Sequence, residues 1–135
     1  MEKQLINCSI LTPERLVYEG DIDSAVVHAD DGEMGFLYGH APLVSKLGVG
    51  EIRITMANAK RYFVVEGGLV EINDNKLIIL AENAIPKEEL NTVELESKLS
   101  ELESSIASAK EVSADRSQLT IESQKVKARL KLSKK

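Results

Sequence analysis

"KLIILAENAIPKEELNTVELESKLSELESSIASAK", residues 76–110, changes its hydrophobic period partway along. "KLIILA" is a short apolar run followed by polar turn residues, the pattern of a strand. Beyond Pro86 the apolar positions Leu95, Leu99, Leu102, Ile106 and Ala109 recur at spacings of 4, 3, 4 and 3. That spacing places them on one seam of a helix. Asn91 is suited to be its N-cap, with Glu94 completing a capping-box-like start. A helix from Asn91 to Lys110 would be roughly 30 Å long.

The composition shifts at the same point. All 8 glycines precede residue 69 and all 5 aromatic residues precede residue 64. After Pro86 there is no glycine, proline or aromatic residue. The chain therefore divides into residues 1–85 and 86–135, with the boundary near Ala84–Glu89.

The first part reads as strands. Ile6, Cys8 and Ile10 alternate with Asn7 and Ser9, the period of a strand with one buried face. "RLVYEG", "DIDSAVVHA", "GEIRITM", "RYFVVEG" and "GLVEIN" follow before "KLIILA". "INDNKL", residues 72–77, suits a hairpin turn, because Asn and Asp tolerate positive φ. Gly67-Gly68 marks a tight turn or bulge. Many short strands at close spacing point to an all-β sandwich or barrel.

A second helix is expected after Ser113, its candidate cap, with Asp115 in the first turn facing the positive end of the dipole. Leu119, Val126 and Leu130 fall on one line along it, and Ala114, Ile121, Ala128 and Leu132 fall nearly opposite. One line can pack on the first helix as an antiparallel hairpin. The other needs a second partner, either the β domain or another protein. The chain as a whole is thus α+β.

Net charge is −5 over 135 residues, unevenly distributed. Residues 1–85 carry 13 acids against 7 bases, whereas residues 111–135 carry 3 acids against 7 bases. A basic end on an acidic chain could meet nucleic acid, headgroups or an acidic protein surface. No aromatics interleave with its Lys and Arg residues, which favours the acidic protein surface over nucleic acid. No apolar run reaches the ~20 residues of a membrane helix. The start, "MEKQLINCSIL", resembles neither a secretory signal nor a transit peptide.

Catalytic chemistry finds little support. Two histidines, His28 and His40, and a lone Cys8 offer no metal-ligand spacing. The serines lack a nucleophile-elbow pattern, and no phosphate-binding loop is present. His28, on the strand face of Ile22 and Val26, is expected to pack or to lie at the surface. Cys8 is expected to be buried beside Ile6 and Ile10. Asp30, Asp31 and Glu33 lack calcium-loop spacing and read as a solvated turn. Gly32, Gly35 and Gly39 bracket Glu33 and precede His40, and Pro42 fixes the bend after it. Glu33 and His40 could be an acid–base pair or part of a rigid docking loop.

"LTPERLVYEG" (11–20), "DGEMGFLYGHAPLVSKLGVGEIRI" (31–54), "VVEGGLVEI" (64–72) and "KLIILAENA" (76–84) together resemble the epsilon subunits of F-type ATP synthases. The resemblance spans nearly the whole chain, and the middle stretch carries the most specific motifs. Tyr38 stands where the family has proline before Gly-His, a departure expected to loosen that bend.

The resemblance implies a ten-strand β-sandwich followed by a two-helix hairpin. It implies a non-catalytic subunit of the central rotor that joins gamma to the c ring and whose helices brake ATP hydrolysis. By position, Thr12, His40, Ala41 and Ser45 match the face toward gamma, and Glu33 matches the residue that meets the c-ring loops. Arg116, Lys125, Lys127 and Arg129 are candidates for an inhibitory contact with the acidic catalytic beta subunits. Membrane contact would come only through the complex, at the cytoplasmic face of a bacterial plasma membrane or the stromal side of a thylakoid.

Some family members bind ATP at the hairpin through Ile/Leu-Asp-x-x-Arg-Ala. Here "LNTVEL" puts Asn91, Glu94 and Leu95 at the acid, arginine and alanine positions. ATP binding is therefore expected to be absent or very weak. The competing account is a free-standing adaptor that dimerises through its hairpin. The rotor account expects an isolated monomer, because the hairpin seam is satisfied internally.

Overall fold

The computed structural model describes residues 4–29, 32–108 and 114–134, and of 108 and 114–117 the backbone alone. Asp30, Asp31, Ala109, Lys110 and Ser113 lie outside the described residues, as do the side chains of Ala114, Asp115 and Arg116.

Eight strands precede the helices: β1 (Ile6–Leu11), β2 (Leu16–Ile22), β3 (Ser24–Ala29), β4 (Gly32–Leu37), β5 (Leu43–Met56), β6 (Ala59–Asn73), β7 (Lys76–Ala81) and β8 (Ala84–Pro86). A single 3-10 turn at Lys87–Glu89 leads to α1 (Thr92–Ser108) and α2 (Ala114–Ser133). The strands follow the order β2-β1-β7-β6-β5-β3-β4, with β8 added to β6. All neighbours run antiparallel except β1 and β7, which are parallel.

Two long strands turn this ribbon into a sandwich. The first half of β5 pairs Leu43–Leu47 with Gly68–Ile72, and the second half pairs Val49–Met56 with Ala59–Glu66. Gly68–Asn73 of β6 continues onto β7, while Phe63–Val65 carries β8. The first layer is therefore β2-β1-β7 with one half of β6 and β5. The second is β8 with the other halves, then β3 and β4. Counting each half as a strand turns eight into the ten that the resemblance implies.

The crossing lies at Gly67 and Gly68, with φ of 78° and 125°. A Cβ on Gly68 would sit 2.0 Å from the Leu80 carbonyl oxygen, so only glycine lets the layers meet this closely. "RYFVVEG" and "GLVEIN", read above as two strands, are one kinked strand.

Ile6, Cys8 and Ile10 of β1, Phe36 of β4, Ile52 and Ile54 of β5, Phe63 and Ile72 of β6, and Leu77 and Ile79 of β7 form one buried core with their neighbours. Cys8 is buried as expected, and burial pushes its thiol pKa up to about 12. The β6–β7 hairpin turns through Asp74 and Asn75, both at positive φ (50° and 61°), as the Asn-Asp-Asn run foretold.

His28 does not share a face with Ile22. "DIDSAVVHA" breaks at Asp23, whose carboxylate accepts the Ala57 N–H (2.6 Å) and whose own N–H donates to the Thr55 carbonyl (2.9 Å). The break resets the alternation. Ala25, Val27 and Ala29 turn inward while His28 is exposed.

α1 begins where its cap requires. The Glu94 N–H donates to Asn91 Oδ1 at 3.1 Å. Leu95, Leu99 and Leu102 meet Leu119, Val126 and Leu130 of α2 in a separate small core. The helices are antiparallel, so the two ends of the hairpin meet. Thr92 Oγ1 donates to Ser133 Oγ (2.9 Å), and Lys134 pairs with Glu96 (3.3 Å). The second apolar line of α2 is divided in use. Leu132 is buried and Ala128 half-buried, whereas Ile121 stays 52% exposed. α2 lies over β5 and β6, so the partner of that line is in part the β domain.

Candidate docking surfaces

The two layers present different outer faces. On the first, register aligns Leu11 (β1), Leu80 (β7), Leu69 (β6) and Lys46 (β5) in one row across four strands. The next outward row on that face holds Ser9, Ile78, Glu71 and Val44. Leu80 is 51% exposed and Leu69 48%, and Val44 is exposed beside them. Leu11, Leu80, Leu69 and Ile78 form an apolar patch edged by Lys46 and Glu71, which makes this face a candidate contact surface. A recess of about 310 Å³, lined by Leu11, Thr12, Pro13, Leu80, Ala81 and Glu82, adjoins it.

The four residues matched to gamma frame this patch unequally. Thr12 closes the β1–β2 turn, its hydroxyl accepting the Arg15 N–H at 3.2 Å. His40 and Ala41 lie at the opposite end of the same layer, before β5. The six residues of β1 separate those ends by about 17 Å at the usual strand rise. Ser45 lies between them but shares the strand parity of Leu43 and Leu47, which face the core. Its neighbours Val44 and Lys46 are the ones that point outward.

His40 is firmly held. Its N–H donates to the Leu37 carbonyl at 3.1 Å, Nδ1 lies 2.6 Å from the Ala41 carbonyl oxygen, and its ring packs on Phe36 with centroids 5.1 Å apart. The 2.6 Å contact assigns the proton to Nδ1, because a carbonyl oxygen can only accept. Gly39, at φ 83°, donates its N–H to Asn75 Oδ1 at 2.7 Å and ties the bend to the β6–β7 turn. These bonds fix the bend despite Tyr38 in place of proline.

Glu33 is exposed on β4, at the edge of the second layer, cross-strand from His28. Glu33 and His40 are thus far from an acid–base arrangement: His40 packs against Phe36 and its own backbone, whereas Glu33 faces His28. Glu33 also lines a recess of about 310 Å³ with His28, Gly50, Arg53 and the last turns of α2 at Ala128, Lys131 and Leu132.

The hairpin covers the second layer's outer face, and this explains why Phe63, Val64, Val65 and Glu66 are all buried in a row. Phe63 and Val65 face the core, while Val64 and Glu66 take the opposite parity, the side on which α2 supplies Arg129. Glu66 is 2% exposed. Arg129 binds it with both Nε and Nη2, the latter at 2.8 Å from Oε2. Asn83 Nδ2 donates to the same Oε2 at 3.3 Å. Glu66 was missed in the sequence. The available signal was a charged residue embedded in "FVVEGG", where a strand inside a sandwich has no obvious place for it.

The basic candidates for the beta-subunit contact are separated by this packing. Arg129 is committed to Glu66 in this posture. Lys125 is half-buried in a polar cleft of about 280 Å³ lined also by Glu66, Glu82, Asn83, Lys98, Glu122 and Arg129. Lys127 is exposed, and the Arg116 side chain lies outside the described residues. No cluster of His, Cys, Asp or Glu suited to a metal ion occurs among the described residues, and among them no helix is long and apolar enough to cross a membrane.

A family model described as the ATP synthase delta/epsilon chain β-sandwich domain matches residues 5–87. The ATP synthase epsilon chain of Leptospira borgpetersenii is 39% identical over 99 residues, covering 73% of this chain and 77% of that one. That of Rubrobacter xylanophilus is 34% identical over 102 residues, covering 76% and 70%. Among solved structures, a chain in the Euglena gracilis mitochondrial ATP synthase OSCP/F1/c-ring assembly superposes with a TM-score of 0.81 at 25% identity, covering 94% of this chain and 82% of that one. A chain of the Tetrahymena thermophila mitochondrial central stalk and c ring shares the fold, with a TM-score of 0.64 at 13% identity, covering 98% and 99%.

Proposed function

This chain belongs to the ATP synthase delta/epsilon family, and from that premise we propose how its parts act in the rotor. The open face of the first layer docks on gamma. The Glu33 edge faces the loops of the c ring, and the hairpin is the movable element that restrains ATP hydrolysis. The subunit itself catalyses nothing and sits peripherally, held at the cytoplasmic or stromal face through its partners.

The observation that carries this reading is the contrast between the two faces of one sandwich. The second layer is covered by the chain's own helix, whereas the first leaves Leu69, Leu80 and Val44 bare. Fully burying such a side chain contributes about 1.5–3 kcal/mol, and these, already partly buried, would each add roughly half of that on docking. Leu69→Asp with Leu80→Asp should weaken capture by purified gamma by at least ~100-fold, because both leucines face away from the core and the fold does not need them. Unchanged capture, with native circular dichroism, would remove this face from the interface.

The beta-subunit contact is assigned to Arg116, Lys125, Lys127 and Arg129 acting once the hairpin has left the sandwich. Exposed pairs contribute about 0–1 kcal/mol each, so inhibition should weaken with salt. ATP binding at the hairpin is proposed to be absent or very weak. Glu94 is exposed at the start of α1, and the Arg129 guanidinium already serves a carboxylate. Titration calorimetry of the isolated chain should show no micromolar ATP affinity. The adaptor account expects a dimer through exposed seam residues. Here Leu102 and Val126 are buried within one chain, and sedimentation should show a monomer.

A further inference from the structure

We propose that Glu66 and Arg129 form a latch that holds the helical hairpin on the sandwich, and that breaking one half releases the hairpin while replacing both halves does not. The latch can be tested without the rotor, though its meaning as a control on the brake rests on the function proposed above.

The two ends of the latch belong to different bodies. Glu66 is fixed in the sandwich: its N–H donates to the Asn83 carbonyl (2.9 Å), and Glu82 N–H donates to the Gly67 carbonyl (3.1 Å) beside it. Arg129 rides near the end of α2. Their partnership spans 63 residues and is the described ion pair with the least exposure, at 2% for Glu66 and 18% for Arg129. The other described ion pairs are at least a third exposed on both sides.

The remaining attachment of α2 to the sheet is apolar, with Val64 fully buried on the strand face that α2 covers. Leu95, Leu102, Val126 and Leu130 hold α2 to α1 and travel with the hairpin, although Val126 also lines the cleft shared with Glu66, Glu82 and Asn83 of the sandwich. Leu132, fully buried, and half-buried Ala128 are the apolar residues of the second line that reach the recess beside β5. These apolar contacts persist without the ion pair, so breaking one half of the pair acts on docking through the buried charge that it leaves behind. With Arg129 removed, the docked state would retain a buried carboxylate whose remaining hydrogen-bond partner among the described side chains is Asn83, while Lys98 and Lys125 line the same cleft without a described ion pair to it. An uncompensated buried charge is strongly unfavourable, whereas an apolar pair of similar volume in the same place is often neutral or better. Lifting the hairpin lets water reach Glu66, so release relieves the penalty.

The test uses the full-length chain with spin labels on cysteines at the exposed positions Lys60 and Gln124, Cys8 being buried and protonated. Electron–electron distance measurements read the docked and released populations. The parent chain should give one docked distance. Arg129→Met should shift the docked-to-released ratio toward release by at least ~10-fold, and Glu66→Met with Arg129→Met should restore docking. A docked population unchanged in the Arg129→Met chain would overturn the latch. So would a double variant as released as the single one, since release would then come from lost packing. An unreactive Cys8 in every variant confirms an intact sandwich. The rotor reading fails separately, if gamma capture ignores the Leu69 and Leu80 substitutions.

Discussion

At the scale of single residues, two positions carry more than their side chains suggest. Gly68 lies at φ 125° and touches the Leu80 backbone. Gly68→Ala should therefore cost at least about 3 kcal/mol in denaturant unfolding, through strain and steric overlap at the layer crossing. Cys8 gives a pH signature. Its pKa rises from 9.0 to about 12 on folding, so the folded state holds its proton where the unfolded chain loses it. Stability from this group is complete below pH 9 and declines as pH rises from 9 toward 12, by up to ~1.4 kcal/mol per pH unit. Denaturation midpoints of the parent and Cys8→Ala chains should diverge on that slope between pH 9 and 10.5 and run parallel below pH 8.

At the scale of elements, the helices were more legible than the strands. A helix seam shows in sequence because its partner residues lie three and four apart, and Leu95, Leu99 and Leu102 behave accordingly. The Asn91 cap is equally local. Asn91→Ala should destabilise α1 by about 1 kcal/mol, seen as faster amide exchange in its first turn with no change in β7. Strands were harder to delimit. β4 and the first half of β5 carry an interrupted pattern, Gly-Glu-Met-Gly and Val-Ser-Lys, that does not read as strand until neighbours supply hydrogen bonds. The two Asp23 contacts break the alternation, so His28 keeps the parity of Val26 but not of Ile22 and lies at the surface, one of the two places expected for it.

At the scale of the whole molecule, the boundary near Pro86 separates strand from helix but not one set of contacts from another. β8 completes the sandwich by pairing Ala84–Pro86 with β6, while α2 returns to cover the same strand. Truncation after Leu90 keeps β8 and should leave a folded sandwich that still captures gamma. It also uncovers Glu66, which water can then solvate. In a reconstituted complex, ATP hydrolysis should rise or stay equal. A fall in hydrolysis with assembly intact would contradict the brake.

The sequence by itself determined the elements and punctuation: the change of period at Pro86, the Asn-Asp-Asn turn, the glycine kink, the cap and the helix seam. Each depends on residues within a few positions of one another, so local sterics and spacing suffice. Its resemblance to a known family also supplied the rotor role and the candidate docking positions along the chain. Only the tertiary structure decided which strand faces are bare and which are covered, that Val44 rather than Ser45 points outward, and that Glu66 meets Arg129. Those outcomes depend on register, layer crossing and helix docking between residues far apart in the chain, and no local pattern carries that information.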